Sequence, residues 1–199
     1  MANARRTGER AAVPTTEILV DDIDSALGVV VIAASDGRLI GLDFGEHRRR
    51  MIRTLTTRAG RAAVRRARDP FGLSARIRNY LDGDLTAIDG VPVDPGGTRF
   101  QRQVWTALRR IPAGTTVTYA EMACAVGRPR AARAVGTANA RNPIPIVIPC
   151  HRMIGGDGSL TGYGGGLSRK RWLLAHEGAL PSHQGTAGVR RARRGSRKA

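Results

Sequence analysis

Apolar residues near the start of the chain come in short β-branched runs separated by polar turn residues. The segment EILVDDIDSALGVVVIAASDGRLIGLDF, residues 17–44, contains several such runs, and Ser35-Asp36-Gly37 is a hairpin signal between two of them. This pattern predicts strands joined by tight turns.

The apolar spacing then becomes helical. Residues 46–67 are rich in arginine and carry Met51 and Leu55 among apolar residues at roughly helical spacing, which predicts one surface helix. A second helix is predicted over FGLSARIRNYLDG, 71–83, where leucine and isoleucine recur every four residues and a final glycine ends the pattern. The Pro/Gly-rich stretch 90–97 is the best candidate for a domain boundary.

Two capping boxes open helices in the second half of the chain. Thr98-Arg-Phe-Gln101 precedes a helix with one apolar face, and Thr118-Tyr-Ala-Glu121 precedes a helix that is predicted to end near Val126. The segment RAARAVGTANA, 130–140, is predicted to be a third helix after a Gly-Arg-Pro turn. Two short helices around such a turn have the outline of a helix-turn-helix.

The last part of the chain combines an apolar run with a glycine-rich stretch. Residues 144–148, IPIVI, are apolar at nearly every position, which predicts a buried strand. Glycines follow between 155 and 166, and a final helix is predicted over 168–177. Its early Arg169-Lys170-Arg171 opposes the helix dipole, which favours either a solvated face or an anionic partner there.

Charge adds a partner class to this picture. The 199 residues contain 33 Lys+Arg and 16 Asp+Glu, a net charge of +17. Residues 190–198, RRARRGSRK, hold six of the positive charges and are expected to form a disordered arm, yet residues 100–178 alone still carry +8. Such an excess favours a polyanion, usually nucleic acid, although a solvated basic surface explains part of it.

The two cysteines, Cys124 and Cys150, form neither a disulfide framework nor a Cys-x-x-Cys pair, so structural zinc is not expected. We expect no cofactor.

The first residues lack the apolar region of a signal peptide, and the apolar run at 27–34 is too short to cross a bilayer. These features predict a soluble, cytoplasmic protein whose thiols stay reduced.

Cys150 stands directly before His151, which leaves two interpretations open. A thiol close to an imidazole can become a nucleophile, and Glu177 is the one carboxylate of this half without a local explanation, so it could orient the histidine. Adjacent residues of an extended strand, however, point to opposite faces, and a buried inert cysteine beside a surface histidine is the more common arrangement.

The helix predicted at 130–140 is built mainly from Ala, Gly, Thr and Asn, which would let its backbone approach another surface closely with Arg133 projecting from it. Packing in the core explains the small residues equally well. The neighbouring Arg128, Arg130 and Arg141 have no acid nearby, which favours contact with a polyanion, although they could also simply face water.

Taken together, these segments resemble the O6-alkylguanine-DNA alkyltransferases, also called methylated-DNA–protein-cysteine methyltransferases. The family signature Pro-Cys-His-Arg after an apolar run stands here as IPIVIPCHR, ending at Arg152. The resemblance runs continuously from about 98 to 178, through FQRQVW, TVTYAEMA, RAVGTANARNP and LTGYGGGLSRKRWLLAHEG. Met153 departs from it, since the family more often has valine there.

The resemblance implies direct DNA repair in which the protein is consumed. Cys150 would accept the alkyl group from O6 of guanine, or from O4 of thymine, and keep it as a thioether. His151 would draw off the thiol proton through a water and be oriented by Glu177, while Asn142 would tie the recognition helix to the active-site turn. Tyr119 would neutralise the leaving guanine, and Met153, Tyr163 and Gly164 would line the base pocket.

The resemblance also implies how DNA is held. A monomer would bind alkylated duplex DNA through the minor groove, with Arg133 filling the gap of the flipped base. Arg128 would contact DNA, and Ala131, Ala132 and Gly136 would be small so that the helix can approach the groove.

The implied fold is α+β. It consists of an N-terminal sheet-plus-helix domain of RNase H-like type over 16–93 and a mostly helical, winged helix-turn-helix-type domain over 98–178. Basic disordered segments at 1–15 and 179–199 flank these domains.

Three rival functions remain. A non-catalytic lesion sensor on the same scaffold would lack the reactive cysteine, whereas Cys150 is present. A thiol hydrolase or acyltransferase would leave the helix-turn-helix unexplained. A plain transcription factor would leave the Cys-His-Glu set without a role.

Overall fold

The computed structural model describes residues 15–180, and its first half is built on a four-stranded sheet. The strands are β1 (Thr16–Ile23), β2 (Val30–Ser35), β3 (Arg38–Phe44) and β4 (Ala62–Arg66), in the order β3-β2-β1-β4. Neighbours are antiparallel except β1 and β4, which are parallel. The strands predicted within 17–44 are confirmed, and the β2–β3 turn has φ of 48° at Asp36 and 72° at Gly37, as a tight hairpin requires.

Two helices accompany this sheet, α1 (Arg48–Ala59) and α2 (Leu73–Leu81). The prediction of one helix over 46–67 is wrong in its last third. Helix α1 ends at Gly60, where φ is 71°, and the chain then adds β4 to the edge of the sheet. Because β4 is held by main-chain pairing with β1 and is largely exposed, its sequence has no alternating apolar signal.

The second half contains four helices and two very short strands: α3 (Arg99–Leu108), β5 (Val117–Thr118), α4 (Tyr119–Ala125), α5 (Ala132–Ala140), β6 (Met153–Ile154) and α6 (Leu167–His176). Both predicted capping boxes form, with reciprocal bonds between Thr98 and Gln101 and between Thr118 and Glu121. Strands β5 and β6 pair in parallel and so join the start of α4 to the segment after Cys150.

The buried strand predicted over 144–148 is wrong. These residues form consecutive turns in which Ile148 N–H bonds to the Ile144 carbonyl at 2.9 Å and Ile146 has a φ of 74°. Prolines at 143 and 145 lack the N–H groups that a central strand would use. The apolar run reports burial correctly, since Ile144, Ile146 and Ile148 are fully buried, but not the strand.

One continuous hydrophobic core joins the two halves. It includes Phe44 and Tyr80 from the first half and Trp105, Cys150 and Leu173 from the second. The mixed α+β class is confirmed.

The stretch 90–97 runs along β3, where Leu39 N–H bonds to the Pro92 carbonyl and Asp94 N–H to the Leu39 carbonyl, each at 2.9 Å. The boundary proposed there stays a prediction. The basic segments expected at 1–15 and 179–199 lie almost entirely outside the described residues. No helix between residues 15 and 180 is long and apolar enough to cross a membrane.

Candidate active site

Cys150 begins a single turn of 3-10 helix, Cys150–Arg152, directly after the turns of 142–149. Asn142 holds these turns, because its side-chain amide donates to the Ile148 carbonyl at 2.8 Å and its side-chain oxygen accepts from Ile144 N–H at 3.0 Å. Asn139 on α5 donates to the Cys150 carbonyl at 3.5 Å. The cysteine is therefore fixed to the end of α5, and its adjacency to His151 is that of a turn and not of a strand.

The Cys150 thiol is buried, with 5% of the residue exposed. Burial raises its pKa to about 11, and the nearby Asn142 amide and the positive charge of Lys170 offset only part of that rise. The thiol is consequently protonated at neutral pH and needs a base in order to react as a thiolate.

His151 and Glu177 form a fully buried pair, with His151 Nε2 3.0 Å from Glu177 Oε1. Arg152 also donates two hydrogen bonds to this carboxylate, from Nη2 to Oε1 at 2.7 Å and from Nε to Oε2 at 2.9 Å. Burial alone would raise the pKa of Glu177, but hydrogen bonds from His151, Arg152 and Tyr80 outweigh it and hold that pKa well below its usual range. Glu177 is therefore an anion that can only accept hydrogen bonds.

This geometry fixes the tautomer of His151. Because an ionised Glu177 only accepts, Nε2 of His151 must carry a proton, and burial lowers the imidazole pKa, which keeps the ring neutral. The second nitrogen, Nδ1, is buried and has no partner in the described part of the chain. Its lone pair is therefore available to accept a proton.

The glycine-rich loop after β6 packs against both halves of the chain. Tyr163 lies edge-on to the rings of Phe44 and His151, at centroid distances of 6.4 and 6.5 Å, and its buried hydroxyl has no partner within residues 15–180. Gly165 lies against Phe44 so closely that a Cβ there would overlap the Phe44 ring. The loop thus places Tyr163 beside the histidine.

Tyr119, at the start of α4, lies between α5 and this loop. A Cβ built on Gly136 would lie 3.7 Å from its ring, and one built on Gly162 would lie 4.0 Å from its hydroxyl. Met153 is fully buried, and its carbonyl accepts from Lys170 Nζ. Gly164 has open space around it. Of the four predicted pocket residues, Tyr163 contacts the histidine and Tyr119 faces the same loop.

The helix pair α4–α5 presents the predicted DNA-contacting residues. Four arginines on this face are exposed, and none of them forms an ion pair with a described residue: Arg128, Arg130, Arg133 and Arg141. Ala131 and Ala132 at the start of α5 are partly exposed, as is Gly136. This face is therefore basic and uncompensated, with small residues along the helix that carries Arg133.

The Arg169-Lys170-Arg171 triplet does not form a single solvated face. Only Arg171 is exposed. Lys170 is fully buried and donates to the carbonyls of Met153 and Thr161, the latter at 2.7 Å. Arg169 donates to the Leu27 carbonyl and lies over the Phe44 ring at 4.0 Å, so it ties α6 to the first half.

Sequence reasoning missed three side chains of this site: Tyr80, Arg152 and Lys170. Arg152 belongs to the quoted signature, but nothing in the sequence shows that its guanidinium turns inward to a carboxylate. Tyr80 lies 97 residues before Glu177, and only the packing of α2 on α6 brings them together. Lys170 stands between two other basic residues, so its burial leaves no trace in the local charge pattern.

Comparison with known proteins assigns a class to this arrangement. A sequence model described as the DNA-binding domain of 6-O-methylguanine DNA methyltransferase matches residues 99–179. A protein of Shigella flexneri named methylated-DNA–protein-cysteine methyltransferase is 46% identical over 166 residues, which span 82% of this chain and 97% of that protein.

Solved structures agree with the sequence matches. The O6-methylguanine methyltransferase of Mycobacterium tuberculosis superimposes with a TM-score of 0.70 at 40% identity, covering 83% of this chain and 94% of that one. A crystal structure of the M. tuberculosis protein in complex with DNA gives a TM-score of 0.70 at 41% identity, with 81% and 93% covered. The chain belongs to the methylated-DNA–protein-cysteine methyltransferase family.

Proposed function

We propose that this protein repairs alkylated DNA by moving the alkyl group from O6 of guanine, and from O4 of thymine, onto the sulfur of Cys150. The observation that carries the proposal is the buried His151–Glu177 pair beside a buried thiol, set next to α5, whose Arg133 is exposed and forms no ion pair with a residue of 15–180. Family membership supports the same reaction.

The chemistry follows from the tautomer of His151. As Cys150 Sγ attacks the alkyl carbon, its proton passes through a water to His151 Nδ1, while Nε2–H stays bonded to Glu177. The S–C bond forms as the C–O6 bond breaks, and the electron pair of that bond passes to guanine. Guanine then takes up a proton, for which the Tyr119 hydroxyl is the donor. Because a thioether has no easy leaving route, each molecule acts once.

DNA binding is assigned to α4 and α5. Exposed arginines lie in the turn between the two helices and on α5, and an arginine that fills the space of a flipped base must be free of other partners. Arg133 has this role in our proposal, Arg128 contacts DNA, and the small residues at 131, 132 and 136 let α5 enter the minor groove. Asn142 ties this helix to residues 142–152, the turns that end in Cys150–Arg152, which we call the cysteine turn.

The flipped base is placed between α4 and the glycine loop. Met153, Tyr163 and Gly164 line this pocket, because the loop packs beside His151 and faces the Tyr119 hydroxyl. No cofactor takes part in the proposed reaction, since the base that Cys150 needs is supplied by His151.

The finer architecture belongs to the same proposal. The sheet of β1–β4 with its helices is of RNase H-like type over 16–93, and the domain over 98–178 is a winged helix-turn-helix in which β5 and β6 accompany α4 and α5. The protein acts as a monomer in this proposal. The place of action is the cytoplasm, where the thiol stays reduced.

The test uses a duplex that carries O6-methylguanine. Mass spectrometry of the digested protein is expected to find one methyl group per molecule, on the peptide that contains Cys150. The modification should be absent in Cys150→Ala and unchanged in Cys124→Ser, which alters the exposed cysteine. Repeated turnover, or a methyl group on Cys124, would contradict the proposal.

A further inference from the structure

The catalytic carboxylate is held by a residue from the other half of the chain. Tyr80, on α2, is fully buried, and its hydroxyl donates to Glu177 Oε1 at 2.6 Å. The same oxygen accepts from His151 Nε2 at 3.0 Å and from Arg152 Nη2 at 2.7 Å. The second oxygen, Oε2, accepts from Arg152 Nε at 2.9 Å. Three donors therefore converge on one oxygen atom, and one of them is a phenol.

We propose that Tyr80 is a positioning residue for alkyl transfer, because its hydroxyl fixes Glu177 Oε1 where it accepts the Nε2–H of His151 and so leaves His151 Nδ1 free for the thiol proton. This inference rests on the function proposed above. Tyr80 touches neither substrate nor sulfur, and it acts through Glu177.

The phenol is suited to this task because it stays a donor. Burial raises the pKa of Tyr80 far above its usual range, and the charge of Glu177 raises it further. Without Tyr80, the two nitrogens of Arg152 would be the dominant partners of the carboxylate. The carboxylate would then follow the guanidinium, to which both of its oxygens are already bonded, and turn away from the imidazole.

Tyr80 also fixes the chain next to Glu177. His176, the residue before it, lies 2.7 Å through Nε2 from the Tyr80 carbonyl, and the two rings meet edge to face at 5.4 Å. The side chain of Tyr80 thus holds the carboxylate while its main chain holds the preceding residue. Both contacts join α2 to the end of α6.

The experiment compares the full-length protein with Tyr80→Phe, which removes the hydroxyl and keeps the ring. At saturating protein, the single-turnover rate of methyl transfer from an O6-methylguanine duplex is expected to fall about tenfold, since a buried carboxylate loses one charge-assisted bond. The Kd for DNA should stay unchanged because Tyr80 is fully buried.

The pH profile of that rate separates positioning from packing. Without the Tyr80 hydroxyl, Glu177 turns away from the imidazole and no longer raises the pKa of His151, so the acid limb assigned to His151 should shift to lower pH in Tyr80→Phe. The charged and titratable groups facing Glu177 and His151 are Tyr80 from α2, Arg152 from the cysteine turn, Tyr163 from the glycine-rich loop and Lys170 from α6. Only Tyr80 differs between the two proteins. Ile77→Val, a buried change on the same helix, should keep both the rate and the profile of the wild type.

A Tyr80→Phe protein with wild-type rate and wild-type pH profile would overturn the inference. If that variant does not fold, NMR of the wild type decides, because the inference requires a slowly exchanging phenol proton close in space to the Nε2–H of His151, and the absence of that proton would overturn it. If the wild type itself takes no methyl on Cys150, the proposed function fails, and that result is distinct from a wild type that reacts alongside an unaffected Tyr80→Phe.

Discussion

The cysteine turn and helix α5 use positive charge in opposite ways. Around Glu177 the charged side chain of Arg152 is buried and fully engaged, to the carboxylate and to the Ile111 carbonyl. On α5 and the turn before it, Arg128 and Arg133 are exposed and make no ion pair with any residue in 15–180. A buried charge must be paired, whereas an exposed arginine remains free for a phosphate or a base. Substitutions around Glu177 should therefore alter both the rate of methyl transfer and the free energy of unfolding. Substitutions of the exposed arginines should alter only the rate of methyl transfer from duplex DNA.

Glu177→Gln should give the largest combined effect. The change removes the only anion of the cluster and leaves Arg152 buried without a counter-charge, so we expect a loss of stability of about 3 kcal/mol. The rate of methyl transfer should fall by about a hundredfold, because the neutral amide no longer fixes the Nε2–H tautomer of His151. Urea unfolding and single-turnover kinetics measure the two effects.

The control is Glu121→Gln, on the exposed capping box of α4, where glutamine can still serve as the capping residue. That variant should keep wild-type rate and stability. Retention of the wild-type rate by Glu177→Gln would break the proposed role of the carboxylate.

Arg133→Ala should separate the two regions most cleanly. Because this arginine is exposed, the melting temperature should not change. The rate of methyl transfer from duplex DNA should fall about tenfold or more, because no side chain fills the space that the flipped base leaves in the duplex. The rate with a free O6-alkylated guanine base, which needs no flipping, should be unaffected. An equal loss on duplex and free base would instead place Arg133 in the chemistry.

The pH dependence of stability gives the smallest effect. The unfolded chain binds a proton at His151 near pH 6.5, whereas in the folded state burial lowers that pKa, so stability is present above about pH 6.5 and is lost as pH falls further. The pKa of Glu177 is also lower in the folded state, so its contribution to the free energy of unfolding is likewise lost as pH falls below about 4.3. Melting temperatures at pH 7.5 and 5.5 should therefore differ less in His151→Gln than in the wild type. In Arg133→Ala the difference should equal that of the wild type.

Local signals in the sequence predicted the α5 region better than the cysteine turn. Capping boxes, a glycine turn and a run of small residues are local features, and α4 and α5 begin and end within two residues of the prediction or at its bounds. The apolar run at 144–148 predicted burial but not conformation. The turns form because Pro143 and Pro145 have no N–H to donate, and because the Asn142 side chain bonds to the main chain of Ile144 and Ile148.

The partners of Glu177 show the limit of local reasoning. Its pairing with His151 was one of two open interpretations until the family resemblance favoured it, and Tyr80 and Arg152 were not found at all. These contacts join residues that are 97 and 25 positions apart. Packing of the end of α6 against α2 and against the turn Cys150–Arg152 creates them, and no spacing in the sequence encodes it. Strand β4 was missed for a related reason, since its main-chain pairing with β1 needs no particular side chains.

The glycine loop has unequal freedom at two neighbouring positions. A side chain at 165 would collide with the Phe44 ring, whereas one at 164 would meet no atom within 4 Å. The Phe44 ring, at the end of β3, thus limits the loop on one side, whereas the other side has room for a side chain. Variation that widens or narrows the range of accepted alkyl groups should therefore be tolerated at 164 and rejected at 165.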